Sequence, residues 1–347
     1  MEPKSGRAAA YNPPNRFERL HVEPCEEDGA DRPAVPTEFF VDSSRTILAK
    51  NDSPDVPFTF SVNPYRGCEH GCIYCYARAS HEYLGFSAGI DFESKIMVKQ
   101  DAPALLEAAF LNRNWQPQAV ALSGNTDCYQ PAERRLKMTR SCLEVFLKYR
   151  NPVYIITKSG LVTRDLDLLA GLAEKNLVEV SLSITTLDPD IARMMEPRAA
   201  APSLRLETLG KLSAEGIPTN VNVAPLIPGL TDEELPAILR EAASRGARSA
   251  NYMLVRLPFA VEGLFVNWLE RNLPLRAAKI LNRLRDVRGG KLSESEFEKR
   301  VYGEGKFAES IRSMFEIFSR KHGLDEAVPP LATHHFRRPG ARQLSMF

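Results

Sequence analysis

The chain has 347 residues, 44% of them hydrophobic, with 45 lysines and arginines against 44 aspartates and glutamates. A net charge of +1 gives no global attraction for nucleic acid, so such a partner would need a local groove. Six cysteines do not make a secreted disulfide framework, no apolar run approaches the roughly 18 residues of a membrane span, and the first twenty residues lack a signal-peptide core; together these read as cytoplasmic, with no membrane partner.

Residues 1–55 are rich in proline, serine and charge, with little periodicity. They are expected to form an N-terminal extension, partly irregular and partly laid over the core. Cys25, between Pro24 and Glu26, is expected there as an incidental free thiol. From 56 onward the pattern changes. FTFSVN (58–63) alternates as a strand does, and KIMVK (95–99) is a second short apolar run. Asp101 reads as the N-cap of a helix carrying Leu106 and Phe110 on one face. Five further strands follow: AVALS (119–123), VYIIT (153–157), VEVSLSI (178–184), TNVNVAPL (219–226) and ARSANYMLVR (247–256). Helical patterns separate them at about 132–149, 162–175 and 202–215, and after Thr231, where Thr231 and Glu234 read as a capping box.

Such alternation predicts an α/β fold with a parallel sheet; a closed eight-stranded barrel and an open doubly wound sheet both satisfy the pattern. In either, functional residues gather just after the carboxyl ends of strands. Beyond 258 the periodicity predicts helices at about 260–271, 274–287 and 306–321, a C-terminal helical region over 259–325. Residues 326–347 are proline-rich and basic and are expected to form a flexible tail.

The chemistry concentrates in NPYRGCEHGCIYCYAR (63–78), where Cys68, Cys72 and Cys75 form a C-x3-C-x2-C array. Thiolates at this spacing suit a soft metal or an iron–sulfur cluster. A closed zinc site takes four ligands, commonly as two pairs. No second pair exists, because Cys25, Cys128 and Cys142 are scattered. A three-cysteine zinc site completed by a remote histidine is the alternative. Three thiolates on a four-iron cube would leave one iron open to chemistry.

With Tyr74 preceding the last cysteine, the array resembles the C-x3-C-x-aromatic-C signature of the radical SAM superfamily. The resemblance implies a partial (βα)6 TIM-like barrel over 56–258, flanked by the N-terminal extension and the C-terminal helices. It implies a [4Fe–4S] cluster on Cys68, Cys72 and Cys75 whose unique iron chelates S-adenosylmethionine (SAM). Reductive cleavage to a 5′-deoxyadenosyl radical would follow, with electrons from a reductant such as flavodoxin or ferredoxin.

The turn after AVALS, Gly124-Asn125-Thr126-Asp127-Cys128-Tyr129-Gln130-Pro131, further resembles the DNA repair photolyase-like group related to spore photoproduct lyase, over about 57–253. Carried onto this chain, the likeness implies SAM contacts at Tyr74, Thr126, Lys158 and Ser183, with Pro228-Gly229-Leu230 against the adenine. One departure stands out. The hydrogen-donating cysteine of that group aligns with Gly124, and Cys128, two residues past Thr126, is the candidate for its role; a packed thiol is the alternative. Cys142, beside Leu143 and Phe146, is expected in the core. The likeness implies damaged nucleic acid as substrate. Tyr65, Arg66, Tyr76, Arg78, His81 and Tyr83 would either stack on it or cover the cluster from water.

The last five residues, Gln343-Leu344-Ser345-Met346-Phe347, resemble the bacterial sliding-clamp-binding pentapeptide. Gln343 would make polar contacts at a pocket rim, and Leu344, Met346 and Phe347 would enter apolar pockets. A second, non-enzymatic function class follows from this tail: a metal-stapled interaction protein that acts through it.

Overall fold

Alternating β-branched and aliphatic residues give the six expected strands, and long-range pairing adds four more. In a computed structural model, which describes residues 6–18, 35–326 and 328–339, the strands are β1 (Glu38–Val41), β2 (Leu48–Lys50), β3 (Phe60–Val62), β4 (Tyr65–Arg66), β5 (Lys95–Val98), β6 (Val120–Leu122), β7 (Val153–Thr157), β8 (Val178–Ser183), β9 (Thr219–Leu226) and β10 (Ser249–Leu254). The main sheet runs β10-β9-β8-β7-β6-β3-β2. Its pairings are parallel except at the β2 edge, which is antiparallel. Consecutive strands of the barrel are neighbours and the order never reverses. The sheet is therefore singly wound, and right-handed crossovers put its helices on one face. This is the partial barrel, not the doubly wound or closed eight-stranded alternative.

Period-two alternation divides each strand between core and cavity. Val153 and Ile155 of β7 join the helix-side core with Leu143, Phe146 and Leu172, while Ile156 faces a cavity. Val221 and Val223 of β9 do the same, leaving Asn222 and Ala224 to the cavity.

Several expectations are corrected. Residues 1–55 contribute β1 and β2, because short edge strands gain stability only from partners distant in sequence. β2 extends the main sheet, and β1 pairs with β5 in a second sheet that also holds β4. The expected helix at 132–149 is split at Lys137, whose φ of 55° separates Glu133–Leu136 from Met138–Tyr149. Asp101 makes no side-chain cap. Thr231 and Glu234 form no capping box. The Thr231 hydroxyl accepts from the Ile227 N–H (3.0 Å), and Glu234 is drawn off to the Thr186 hydroxyl and the Leu187 N–H (both 2.6 Å). Helices Ala260–Asn272, Pro274–Asp286 and Gly305–Lys321 appear where expected. The described part of the tail, 328–339, is held against the barrel. Ala332 N–H donates to Asn176 O (2.8 Å), Arg337 N–H to Tyr149 O (2.9 Å) and Arg338 Nε to Phe110 O (3.0 Å). Gln343–Phe347 and Cys25 lie outside the described residues.

Candidate active site

The cysteine loop follows β3 and β4 and turns on glycine. Gly71 has φ +67°, and a Cβ there would meet Glu93 Oε2 at 2.7 Å, so a side chain is excluded by both backbone and space. Behind the loop lies Arg78, fully buried. Its guanidinium donates to the carbonyls of Cys72 (2.9 Å), Gly71 (2.9 Å), Ala88 (3.2 Å) and Gly89 (2.9 Å), and to Glu93 Oε1 (2.5 Å). Glu93 also accepts from the N–H groups of Ala8 (3.2 Å) and Ala9 (2.9 Å), while Arg7 donates to its carbonyl. The described part of the extension is thus fastened to the back of the cysteine loop, a role its composition does not suggest.

In front of the loop is a cavity of about 540 Å³, within the range of small-molecule and cofactor sites. Cys68, Cys72 and Cys75 line it, as do residues at the carboxyl ends of β6, β7, β8, β9 and β10. Burial raises all three thiols above their ordinary range. At Cys68 the Asp127 carboxylate and the other two thiols add to it. Metal-free, the cysteines are therefore protonated, and loading with a cationic cluster would displace those protons. Among the described residues no three His, Cys, Asp or Glu side chains converge as ligands of one ion. The separate irons of a cube would each take one thiolate.

Of the expected SAM-contacting residues, Tyr74, Thr126, Lys158 and Ser183 all line this cavity. Their polar groups are not equally free. The Tyr74 hydroxyl donates to Glu196, which Arg205 also holds, and Thr185 Oγ1 lies 3.3 Å from it. Tyr74 thus presents its ring, with the Lys158 ammonium 5.8 Å from the ring centroid. Thr126 Oγ1 donates to the Tyr65 carbonyl (2.7 Å), so its proton is committed. Lys158 Nζ has one long contact, to Ala224 O (3.4 Å), and no carboxylate partner among the described residues. The Ser183 carbonyl accepts from Arg205 (3.0 Å), and its hydroxyl makes no hydrogen bond among the described residues. Pro228-Gly229-Leu230 is not part of the cavity lining. Gly229 lies against Ile280 and Arg283 of the helix Pro274–Asp286, and Ala224 and Pro225 take the cavity position instead.

Cys128 is not brought to the cavity. It is fully buried in the helix-side core, with its N–H donating to Ser123 Oγ (3.1 Å) and its carbonyl accepting from Thr139 Oγ1 (2.6 Å). Cys128 is therefore a packed core thiol, not a hydrogen donor at this cavity. The neighbouring position is closed as well: a Cβ on Gly124 would meet the Ser61 Cβ at 2.9 Å. Cys142 lies in the core. Of the six residues expected to stack on nucleic acid or cover the cluster, only Tyr76 lines the cavity. Tyr65, Arg78 and His81 are buried behind it, Arg66 pairs with Asp42, and Tyr83 stacks on Phe17 at 4.8 Å.

Three lining residues were not among the expected site residues. Asp127 accepts from Thr157 Oγ1 (2.8 Å), Lys158 N–H (2.8 Å) and Tyr129 N–H (2.8 Å), with His70 Nδ1 at 3.3 Å. Burial pushes its carboxyl up, but His70 and these hydrogen bonds outweigh burial and hold it at about 2. Asn222 places a buried Oδ1 at the cavity with no hydrogen-bond partner among the described residues. Arg256, just past β10, lies with its guanidinium 5.3 Å from the Tyr76 ring centroid. A buried acceptor without a donor is uncommon in folded chains, and at a cavity wall it marks a place for a ligand's N–H or O–H. Three soft thiols, an ammonium with no carboxylate partner among the described residues and a carbonyl oxygen without a donor, all lining one cavity, fit a cluster with SAM.

Comparison with known proteins agrees with this chemistry. The radical SAM superfamily model matches residues 62–242. An uncharacterized protein of Mycobacterium tuberculosis is 36% identical over 234 residues, 67% of this chain and 68% of that protein. The FeMo cofactor biosynthesis protein NifB of Chlorobaculum tepidum is 27% identical over 260 residues, 70% of this chain and 55% of that protein. Among solved structures, spore photoproduct lyase complexed with dinucleoside spore photoproduct superposes with a TM-score of 0.59 at 17% identity, over 82% of this chain and 79% of that one. At that identity the likeness shows the fold. The family match spans more than half of the sequence, and the chain belongs to the radical SAM superfamily.

Proposed function

We propose that Cys68, Cys72 and Cys75 hold a [4Fe–4S] cluster and that strand-end residues hold SAM beside it. The chain then abstracts hydrogen from a substrate admitted to the same cavity. Convergence carries this reading: three thiols and uncommitted polar groups from successive strands meet in one cavity. When bound, the two groups supply one-electron cleavage of SAM to methionine and a 5′-deoxyadenosyl radical, using a reductant such as flavodoxin or ferredoxin. The polypeptide binds and orients. Lys158 offers its ammonium to the SAM carboxylate, and the Ser183 hydroxyl donates to a ribose or carboxylate oxygen. Asn222 Oδ1 accepts from an amine or hydroxyl. Tyr74, its hydroxyl fixed by Glu196, presents its ring as an apolar wall. Arg78 and Glu93 hold the loop backbone in place, and preorganisation of this kind is worth more than added contacts.

Damaged nucleic acid is the proposed substrate class. Its supports are the fold shared with a lyase complexed with dinucleoside spore photoproduct and the pairing of an aromatic ring with a guanidinium at Tyr76 and Arg256. The closed position at Gly124 means that hydrogen return, if the reaction needs it, uses a group other than a thiol there. Anaerobic reconstitution, iron and sulfide analysis, and assay of 5′-deoxyadenosine under reductant test the reading. A fully reconstituted protein that forms no 5′-deoxyadenosine would overturn it. Irradiated oligonucleotides then test the substrate, by loss of the lesion and recovery of the intact bases within the strand.

For Gln343, Leu344, Met346 and Phe347 we propose binding to a bacterial sliding clamp, on the sequence likeness alone. Such recruitment fits a DNA substrate. The full chain should bind a purified clamp at micromolar strength and lose binding on Phe347→Ala; no binding at ~100 μM, near −5.5 kcal/mol, removes the proposal.

A further inference from the structure

We propose that the cavity wall lying outside the family-matched span is an oxyanion subsite, in which the Arg256 guanidinium receives a phosphate or carboxylate group of the substrate. This deepens the reading above and rests on it. Eleven of the thirty lining residues fall outside 62–242. The matched span is what this chain has in common with its superfamily, so its own substrate preference is sought in the remainder.

That remainder is a built wall. Arg288, buried, donates to the carbonyls of Val255 (3.0 Å) and Arg300 (2.9 Å), tying the end of β10 to the segment around 300. Asp55 accepts from the Glu298 N–H (2.8 Å) and from Arg300 Nε (2.5 Å), and Ser53 Oγ accepts from Arg300 Nη2 (2.7 Å). Three segments far apart in sequence are thus cross-tied where they meet the cavity.

The cationic side chains lining the cavity differ in what they have to bind. Arg300 is satisfied by Asp55 and Ser53, and Lys158, inside the matched span, has one long contact to the Ala224 carbonyl. Arg256 has neither a hydrogen-bond acceptor nor a carboxylate within ion-pair distance among the described residues. Burial and the nearby charge of Arg300 lower its pKa from 12.5, with Tyr76 and the Asp55 carboxylate, itself held by Arg300, offsetting only part of that, yet a guanidinium remains charged at neutral pH. A charged, half-buried group with unspent donors beside a like charge is costly unless an anion joins it. With one face against Tyr76, the guanidinium keeps its N–H edge free, the geometry that pairs two donors with two oxygens of one oxyanion.

The test is a titration of the cluster-loaded, SAM-bound protein without reductant. The probes are thymidylyl-thymidine against its uncharged methylphosphonate analogue, and glutarate against glutaramide. The expected result is a preference of about tenfold or more for a charged probe over its neutral partner. Arg256→Gln abolishes that preference and Arg256→Lys keeps part of it, which separates charge recognition from misfolding. Preference in the dinucleotide pair assigns a phosphodiester; preference in the glutarate pair assigns a carboxylate, and the subsite stands in either case. The titration is repeated on the metal-free protein, because the ties around Arg256 are made by the polypeptide alone. An Arg256-dependent preference there supports the subsite even if the cluster reading fails. Equal binding of each pair by wild type, or an unchanged preference in Arg256→Gln, overturns it.

Discussion

The two flanks of the cavity differ in how far their polar groups are used. Behind the cysteine loop, the Arg78 guanidinium and the Glu93 carboxylate are fully buried and carry a complete set of partners. On the strand-end flank Lys158 has one long contact, Asn222 Oδ1 none, and Arg256 none among the described residues. Satisfied groups hold a backbone still. Unsatisfied groups at a cavity wall are costly in the free protein and are retained where a ligand completes them. The comparison implies that breaking the first flank costs stability and cluster loading, whereas breaking the second costs ligand affinity with the fold intact.

The largest expected effect tests what the first flank exists to hold. Replacing Cys68, Cys72 or Cys75 by alanine should abolish the cluster's brown absorbance and all 5′-deoxyadenosine formation, while Cys142→Ala, in the core, keeps both. A full cluster in any of the three variants would sink the assignment. Next, Arg78→Met removes one partner of a buried ion pair and leaves the Glu93 charge uncompensated, at a cost of about 3–5 kcal/mol. Urea unfolding of the metal-free protein measures it. The matching Lys158→Met on the other flank should move stability by only about 0.5 kcal/mol, and similar costs at the two sites would break the comparison.

His81 is the exception on the satisfied flank. Among the described residues both its ring nitrogens are buried without a hydrogen-bond partner, and it packs against Phe86 and Phe92 at 5.2 and 5.6 Å. Burial lowers its imidazole from 6.5 to about 4. Between those values the unfolded chain holds a proton that the folded chain does not. The contribution to stability is thus complete above pH 6.5 and is lost as pH falls toward 4, at about 3 kcal/mol in all. Unfolding midpoints at pH 8 and pH 5 should differ accordingly, and His81→Phe should flatten that slope; an unchanged slope would exclude His81 as its source.

On the unsatisfied flank, Lys158→Ala and Ser183→Ala should each weaken SAM binding by roughly 1.5–3 kcal/mol, about ten- to a hundredfold, with the iron content unchanged. Unaltered SAM affinity in both would remove them from the site. The smallest effect concerns the boundary between the flanks. Gly124→Cys places a Cβ 2.9 Å from the Ser61 Cβ and should cost about 1–3 kcal/mol by overpacking. Ser61→Gly in the same chain should recover most of it, and a Gly124→Cys variant as stable as the parent would show that the position is open.

The cysteine array, the six barrel strands and the clustering of site candidates after strand ends were legible in the sequence. Each rests on a short-range pattern: ligand spacing, two-residue alternation, or the position that follows a strand. The two short strands within residues 1–55 were not legible, because EFFV and LAK become strands only against β5 and β3. Nor was the fate of Glu234, whose local spacing predicts a cap but whose carboxylate is taken by Thr186 and Leu187. Cys128 shows the limit most clearly. It stands two residues from Thr126, which lines the cavity, yet its own side chain enters the core. The chain is irregular there, so proximity in sequence does not tell which way a thiol points. The same holds for the wall around Arg256, assembled from residues near 55, 256 and 300. Spacing is a property of the chain and can be read from it. Which groups find partners, and which are left for a ligand, depends on contacts between distant segments and was decided only when the chain folded.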